Sequence, residues 1–497
     1  MKNSVVALTM YFVNLLLQFY SRKVFLDYLG IEVLGLNTTA TNILQFLNLA
    51  ELGVWSAVAT SLYKPLHEND QDTINKIVSF NGLIYRRIAY LIIALSLITM
   101  IFFPIIFDKM ELPLWYAYGS FSALLFSSLL GYFVNYKQLL LSADQKDYKI
   151  QFSLKLSTLI KVGSQIVILQ IAHHPYIWWL ILEVLFAIVG AISLNIVIKK
   201  TYPLLKQTAD TFKSLKQEFP EIITKIKQLF IQKVSGFVLF QTSPIIIYSL
   251  SSLSLVALYG NYHLIIQGLI SLLAAIFNSM LAGIGNLVAS SSKEHILDVF
   301  FQLLSLRFYI IAILSYGAWL FSQYFIGWWI GSEYLLPKSS LLIMVATFCV
   351  YTNRYVVYDY LAAFGYFGDV WASIIEVVLN IGLSIGLGII WGLNGVLSGV
   401  LISLIIISCI WKPFYLFKIK LKAGYIRFCQ NIFKLLLPII GLIIPNECIF
   451  TFDSEIQLLQ PLISYTSFTF LLGLTYWGLL KPFRVVLAKV FNIFLRK

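Results

Sequence analysis

Long apolar segments separated by short polar loops make up most of the chain. A helix needs about 20 mainly apolar residues to cross a bilayer. Segments of this kind lie at 4–26, 34–62, 84–107, 113–136, 152–172, 176–198, 229–250, 255–289, 305–327, 336–365, 369–391, 394–416, 432–449 and 460–480. The pattern predicts an all-α, polytopic integral membrane protein with about fourteen transmembrane helices, or about twelve without the last two segments.

The distribution of Lys and Arg along the chain predicts its orientation. If the N-terminus is cytoplasmic, 30 of the 36 basic residues fall in cytoplasmic loops and tails, and 4 fall on the opposite face. Cytoplasmic loops of membrane proteins carry an excess of Lys and Arg. We therefore expect both termini in the cytoplasm, with the first apolar segment retained as a span rather than cleaved as a signal peptide.

Composition narrows the function classes. Apolar residues make up 59% of the chain and charged residues 12%, against roughly 25% charged in soluble domains. This excludes a soluble globular or disordered protein and leaves no room for a large catalytic domain, so no enzymatic activity is expected. The net charge of +13 is explained by the basic loops rather than by a nucleic-acid partner. The four cysteines lie far apart, which argues against a disulfide framework or a metal site.

The longest loop, 199–228, divides the chain after the sixth predicted span. Its lysines alternate with apolar residues, which suits either a basic amphipathic linker lying on the anionic inner leaflet or a solvated connection. Residues 31–37 (IEVLGLN) and 253–260 (LSLVALYG) both lead into a long apolar span, which indicates an internal repeat. We expect two pseudo-symmetric six-helix lobes, 1–198 and 229–416, around a central cavity. Residues 417–497 would add a basic connector, a helix pair and a basic tail.

Several short stretches carry a resemblance to a known family. Residues 21–36 (SRKVFLDYLGIEVLGL) resemble the first-to-second-span signature of the polysaccharide-export branch of the multidrug/oligosaccharidyl-lipid/polysaccharide (MOP) exporter superfamily. Further stretches fit the same pattern in order: 51–53 (ELG), 62–65 (LYKP), 85–87 (YRR), 256–262 (VALYGNY), 325–331 (FIGWWIG), 375–384 (IEVVLNIGLS) and 392–396 (GLNGV). The helix pair after residue 416 departs from the commonest O-antigen flippases, which have twelve spans, and is similar to the lipid II flippases.

This resemblance implies a flippase in the cytoplasmic (inner) membrane of a bacterium. Its substrate would be an undecaprenyl-diphosphate-linked oligosaccharide repeat unit of O-antigen, capsule or exopolysaccharide, carried from the inner to the outer leaflet by alternating access. The expected partners are this lipid-linked oligosaccharide, membrane lipid, and the polymerase and chain-length components of polysaccharide assembly. No cofactor is expected beyond H⁺ or Na⁺ for coupling.

Six ionisable residues lie well inside predicted spans. They are Glu51, Lys161, Glu183, Arg354, Asp359 and Glu376. A charge at the centre of a membrane helix costs about 2.5–3.5 kcal/mol on insertion scales. These side chains should therefore face a hydrated cavity or one another.

The diphosphate of the implied substrate calls for cations in such a cavity. Guanidinium groups bind phosphate oxygens in pairs, so Arg22, Arg354 and Lys161 are candidate diphosphate ligands. The lipid II flippases also keep arginines in the first span, and this resemblance favours Arg22. The alternatives are that Arg22 snorkels to the outer interface and that Lys161 and Arg354 form buried pairs with nearby carboxylates.

The tenth and eleventh predicted spans carry further polar candidates. Arg354 and Asp359 are five residues apart and point to different sides of one helix, which would leave Arg354 to a ligand or a neighbouring span. Asn353, Tyr358 and Asn380 are expected to form a polar wall. Asn353 and Asn380 are assigned to the substrate.

Tyr259 is a candidate for stacking on a sugar. Glu51, Asp359 and Glu376 are assigned to H⁺ or Na⁺ coupling, or to salt bridges that close one of the two access states. For Glu51 an interhelical hydrogen bond beside Gly53 is an equal alternative.

Two other function classes compete with the flippase. A cation-coupled multidrug exporter of the same superfamily would need a cavity dominated by carboxylates and aromatic residues, and Arg22, Lys161 and Arg354 argue against it. A polysaccharide polymerase or O-antigen ligase would need a sizeable outer loop, whereas the predicted outer loops are short.

Overall fold

The computed structural model describes residues 2–51, 53–144, 146–227, 230, 241–277, 281–364, 369–449 and 459–495. Over these residues the secondary structure is helical, with no β-strand. The helices form two compact units, Met1–Gly260 and Asn261–Lys497. The proposed lobes 1–198 and 229–416 remain a prediction, because this division falls at Gly260 rather than in the 199–228 loop.

Besides a helical stretch at 220–227, the first unit contains eleven labelled helices and the first residues of a twelfth. They are α1 (Lys2–Leu47), α2 (Val54–Glu68), α3 (Gln71–Ile101), α4 (Phe103–Ile106), α5 (Trp115–Phe133), α6 (Gln138–Ala143), α7 (Asp147–Ile150), α8 (Leu156–Ile171), α9 (Pro175–Thr201), α10 (Phe212–Glu218), α11 (Ser243–Leu250) and the start of α12 (Leu253–Phe277). Short 3₁₀ turns lie at Asn48–Glu51 and Asn135–Lys137, and a π-helical turn at Gln151–Lys155 precedes α8.

The second unit continues α12 and adds nine described helices. They are α13 (Leu281–Ser290), α14 (Lys293–Trp329), α15 (Lys338–Asn353), α16 (Tyr355–Ala363), α17 (Val370–Leu404), α18 (Lys412–Tyr415), α19 (Tyr425–Ile449), α20 (Leu459–Leu479) and α21 (Lys481–Leu495). π-Helical turns at Ile405–Trp411 and Leu416–Lys420 flank α18. The core of this unit packs α14 against α16, α19, α20 and α21 around Phe300, Phe417 and Phe468.

Two glycines break the helices α1 and α17 into separate arms. Gly30 has φ 81° inside α1, and Gly392 has φ 57° inside α17. Only glycine adopts this left-handed region without a steric penalty from a Cβ atom. Gly392 therefore lies between the predicted spans 369–391 and 394–416, and the two arms form a hairpin in which Gly399 packs closely against Ser384.

Large apolar side chains cover much of the outer surface of the helices. Ile101, Ile171, Ile389 and Ile426 are each at least 70% exposed. Such a surface is unfavourable in water and suits the hydrocarbon of a bilayer, in which a helix satisfies its own backbone hydrogen bonds. The polytopic membrane architecture predicted from the sequence is confirmed.

The number of spans differs from the expected fourteen. Eight helices among the described residues are long and apolar enough to cross a membrane, or up to ten if each of two bent helix pairs is one span. The first two predicted spans fall in α1, the Asn48–Glu51 turn and α2, which are not among these eight to ten. The segment 229–250 lies mostly outside the described residues, and Trp371–Lys418 counts once. The count of about fourteen stays a prediction.

The basic loop 199–228 packs against the first unit. Leu215 and Ile222 are fully buried in a cluster with Phe80 of α3, and the Arg87 guanidinium lies 3.4 Å from the centre of the Phe212 ring. The lysines of α10, such as Lys213, are exposed. The apolar side chains thus contact protein, because amphipathic spacing defines an apolar face but not its partner. Whether the exposed lysines face the inner leaflet or solvent stays a prediction.

Candidate functional site

The first unit contains an ion pair between α8 and α9. Lys161 Nζ lies 2.8 Å from both carboxylate oxygens of Glu183. One turn along α8, Gln165 Nε2 donates to Glu183 Oε2 at 3.3 Å. The side chains of Lys161 and Glu183 are 19% and 10% exposed. This carboxylate is therefore held by two residues of the neighbouring helix, and the charge of Lys161 is neutralised.

A polar cavity of about 240 Å³ adjoins this ion pair. It lies between α5, α8 and α9, where small side chains leave space between the helices. Its lining consists of Ser127, Asn135, Leu154, Ser157, Thr158, Lys161, Glu183, Phe186, Ala187 and Gly190. Hydroxyl, amide and charged groups thus share one cavity with one aromatic ring.

The other candidates of the first unit lie away from this cavity. The Arg22 guanidinium, half-buried on α1, donates to the Ala257 carbonyl at 3.3 Å, and Tyr259 is buried. Glu51 lies in the 3₁₀ turn before Gly53 and accepts a hydrogen bond from the Tyr132 hydroxyl. This contact matches the bracing alternative for Glu51, while its role in coupling stays a prediction.

The second unit contains three interhelical ion pairs. Arg307 of α14 pairs with Asp359 of α16 at 2.7 Å, and Lys412 of α18 pairs with Asp369, the residue before α17, at 2.8 Å. Arg354, between α15 and α16, lies 3.5 Å from Glu376 of α17. Arg354 and Asp359 therefore pair with different helices, in agreement with their five-residue spacing.

The Arg354–Glu376 pair lies in an aromatic and hydroxyl environment. The Arg354 guanidinium carbon is 4.1 Å from the centre of the Tyr351 ring and 5.1 Å from that of Tyr358. Ser408 donates to Glu376 at 3.2 Å and lies 3.2 Å from the Tyr358 hydroxyl. Cation–π contacts of this kind stabilise a desolvated guanidinium. The pair is deeply buried, with its side chains 6% and 2% exposed.

The two asparagines of the predicted polar wall make separate contacts. Asn380, fully buried on α17, donates to Ser403 of the same hairpin at 3.4 Å. Asn353 donates to the Cys349 carbonyl of its own helix at 3.0 Å. Their assignment to a substrate stays a prediction.

Arg307 and Lys412, which the sequence counts toward the cytoplasmic side at the ends of the spans 305–327 and 394–416, belong to ion pairs that sequence reasoning missed. Both lie in helices and are buried, because Asp359 and Asp369 neutralise their charges. Arg307 lies inside the 37-residue helix α14. This helix begins twelve residues before the apolar segment 305–327, so helical periodicity upstream of the segment was the signal that could have placed Arg307 inside a helix. Gln165 and Ser408 were missed because only packing between helices brings them to Glu183 and Glu376.

Arranged in this way, Lys161, Arg307, Arg354 and Lys412 each have a carboxylate partner. A buried pair stabilises weakly, but removing one partner leaves an unpaired charge in a low dielectric medium. Lys161 and Arg354 thus adopt the alternative given for them, a pair with a carboxylate. Each would bind an anion only after exchanging that carboxylate for it.

Comparisons with known proteins bear on the fold. No protein-family model matches the sequence, and no curated protein matches it. Among solved structures, a multidrug resistance MATE family transporter of the MOP superfamily in an inward-facing conformation is 12% identical, with a TM-score of 0.61 over 82% of this chain and 96% of that chain. The lipid II flippase MurJ, in an inward closed conformation, is 15% identical, with a TM-score of 0.67 over 96% of this chain and 100% of that chain.

The chain has the fold of these transporters. The expected all-α transporter architecture is confirmed. Both neighbours are membrane transporters and neither is an enzyme. At these identities the likeness concerns the fold, and the transported molecule has to be argued from the chemistry of this chain.

Proposed function

We propose that the protein is a flippase for undecaprenyl-diphosphate-linked oligosaccharide repeat units in a bacterial cytoplasmic membrane, with both termini in the cytoplasm. The observation that carries the proposal is the extent of the fold likeness. The structural match with the lipid II flippase covers 96% of this chain, whereas the match with the multidrug transporter covers 82%. The inference from fold to substrate is an analogy. The charged residues described next suggest how a diphosphate would be bound and how transport would be coupled to H⁺.

Arg22 is the proposed diphosphate ligand. Its guanidinium lies on the first arm of α1, before the break at Gly30, and its hydrogen bond to the Ala257 carbonyl directs it toward the start of α12. A planar guanidinium matches two phosphate oxygens at once, which a lysine ammonium does not. Arg22 is half-buried, and a phosphate oxygen would replace its contact with the Ala257 carbonyl.

The Arg354–Glu376 pair is the proposed coupling element. It is longer than the other three pairs, at 3.5 Å against 2.7–2.8 Å. Protonation of Glu376 would remove the negative charge that holds Arg354, and the guanidinium would then be available to an anion. H⁺ uptake and anion binding would thereby favour the same state, which is the requirement for coupling.

The direct test is a clean deletion in a strain that has no second copy. Loss of surface polysaccharide, together with accumulation of lipid-linked repeat units on the cytoplasmic side, is the expected result. Complementation by Lys23→Ala should succeed, since Lys23 is exposed, and complementation by Arg22→Ala should fail at matched expression. Normal surface polysaccharide in the deletion strain would exclude the proposal.

Cation-coupled multidrug export is the second candidate. It is supported by the likeness to the MATE transporter, 96% of which is matched by this chain. Overexpression should then raise resistance to cationic drugs and leave lipid-linked oligosaccharide untouched. Unchanged drug susceptibility would exclude this alternative.

A further inference from the structure

We propose that the cavity between α5, α8 and α9 binds a single uncharged sugar ring. The inference rests on the proposed function, because the ring would belong to the transported oligosaccharide. In this proposal Lys161 and Glu183 form hydrogen bonds with uncharged sugar hydroxyl groups and do not bind the diphosphate.

Hydrogen-bond acceptors dominate the cavity wall. Ser127, Ser157 and Thr158 donate their hydroxyl protons to the backbone carbonyls of Ala123, Phe186 and Leu154 at 2.9–3.0 Å. A hydroxyl has one proton and two lone pairs. With the proton used on a carbonyl, each of these oxygens presents an acceptor to the cavity.

Asn135 adds an acceptor whose partner is missing. Its Oδ1 atom is buried and, within the described part of the chain, has no hydrogen-bond partner. A buried polar atom without a partner costs about 1–3 kcal/mol. Asn135 lines the cavity, so a rotation of its amide toward a ligand hydroxyl would recover this cost.

The ion pair supplies the remaining polar groups and leaves the cavity uncharged. Lys161 places two of its three protons on Glu183, and Glu183 also accepts from Gln165. One ammonium donor and some carboxylate acceptor capacity remain. An anion would meet a wall of acceptors and a bare cation would meet the ammonium group, so neither is favoured.

Size and shape agree with one sugar ring. Drug-sized ligands occupy pockets of roughly 300–1,000 Å³, so a volume of about 240 Å³ takes one ring and not an oligosaccharide. Phe186 and Gly190 lie one turn apart on α9 and both line the cavity, so an aromatic side chain is available to the C–H surface of the sugar. Leu154, Thr158 and Phe186 are half-buried, so the cavity can be reached from the surface of the unit.

The test uses the full-length protein in lipid nanodiscs with uncharged methyl glycosides of hexoses and N-acetylhexosamines as probes. Saturation-transfer NMR should show binding of at least one glycoside to the wild type. Asn135→Leu should weaken it about threefold to tenfold, the equivalent of one neutral hydrogen bond. Gly190→Leu should abolish it by filling the cavity. Asn431→Leu, the same change in the second unit, should leave it intact, with folding of each variant checked by thermal unfolding.

Three results would overturn the proposal. They are the absence of binding by every glycoside to folded wild-type protein, binding that Asn135→Leu and Gly190→Leu leave unchanged, and tighter binding of a sugar 1-phosphate or of Na⁺ than of the uncharged glycoside. Flipping of lipid-linked oligosaccharide, measured separately on the wild type, distinguishes the two ideas. If flipping persists without glycoside binding, the sugar site alone is wrong; if glycosides bind without flipping, the proposed function is wrong.

Discussion

The Lys161–Glu183 pair of the first unit and the Arg354–Glu376 pair of the second both neutralise a charge between packed helices, but their geometries differ. Glu183 accepts two contacts of 2.8 Å from Lys161 and one from Gln165, beside a cavity. Glu376 has a 3.5 Å contact with Arg354 and a hydroxyl donor in Ser408, in a more deeply buried place. The first arrangement holds a carboxylate still, whereas the second holds a guanidinium that a proton or an anion can release.

Burial should decide how much each ion pair contributes to stability. Lys412 and Asp369 are 8% and 5% exposed, so Lys412→Met leaves a buried carboxylate without its cation. We expect it to lower the free energy of unfolding by about 3–5 kcal/mol. Thermal unfolding in detergent micelles measures this. Lys412→Met combined with Asp369→Asn should recover most of the loss, and an additive double variant would contradict the burial argument.

Lys161→Met should have a smaller effect on stability. Lys161 is 19% exposed and Gln165 still donates to Glu183 after the change. The expected loss is about 1.5–3 kcal/mol, the range for a hydrogen bond to a charged group. Lys338→Met, at an exposed position, serves as the control in the same unfolding assay. A loss as large as that of Lys412→Met would remove the distinction between the two units.

Replacing Glu376 and Glu183 with glutamine should show which carboxylate takes part in H⁺ coupling and which one only fixes its neighbours in place. Glu376→Gln imitates the protonated acid and leaves Arg354 released at every pH. The ratio of flipping with and without an imposed proton gradient should therefore fall about tenfold, equivalent to about 1.4 kcal/mol. Glu183→Gln should lower both rates together and keep the ratio. Equal ratios in the two variants would show that Glu376 has no special part in coupling.

The sequence predicted well what depends on local pattern. Apolar segments of membrane-spanning length gave the helical, polytopic fold, and the spacing of Arg354 and Asp359 gave their separate directions. It did not predict which side chains meet between helices. Arg354 and Glu376 are 22 positions apart, and Arg307 and Asp359 are 52 apart, so their pairing depends on helix packing rather than on chain spacing.

Two further features lay beyond sequence reasoning for the same reason. At the cavity, Ser157 of α8 packs closely against Gly190 of α9, and neither residue carries a distinctive motif. The loop 199–228 has the alternation of an amphipathic segment, yet Leu215 and Ile222 bury themselves against α3. The ion pairs of Arg307 and Lys412 were missed as well, because a count of charges along the chain cannot detect a carboxylate on a neighbouring helix.

Transport by the purified protein tests the central claim most directly. Proteoliposomes would carry a short-chain polyprenyl-diphosphate oligosaccharide, with its arrival at the opposite leaflet followed by lectin binding. The account predicts flipping by the wild type and by Lys23→Ala, and a loss of at least about tenfold in Arg22→Ala, since a charge-assisted contact to phosphate is worth about 1.5–3 kcal/mol. Flipping no faster than in protein-free liposomes, or an Arg22→Ala rate equal to the wild type, would contradict it.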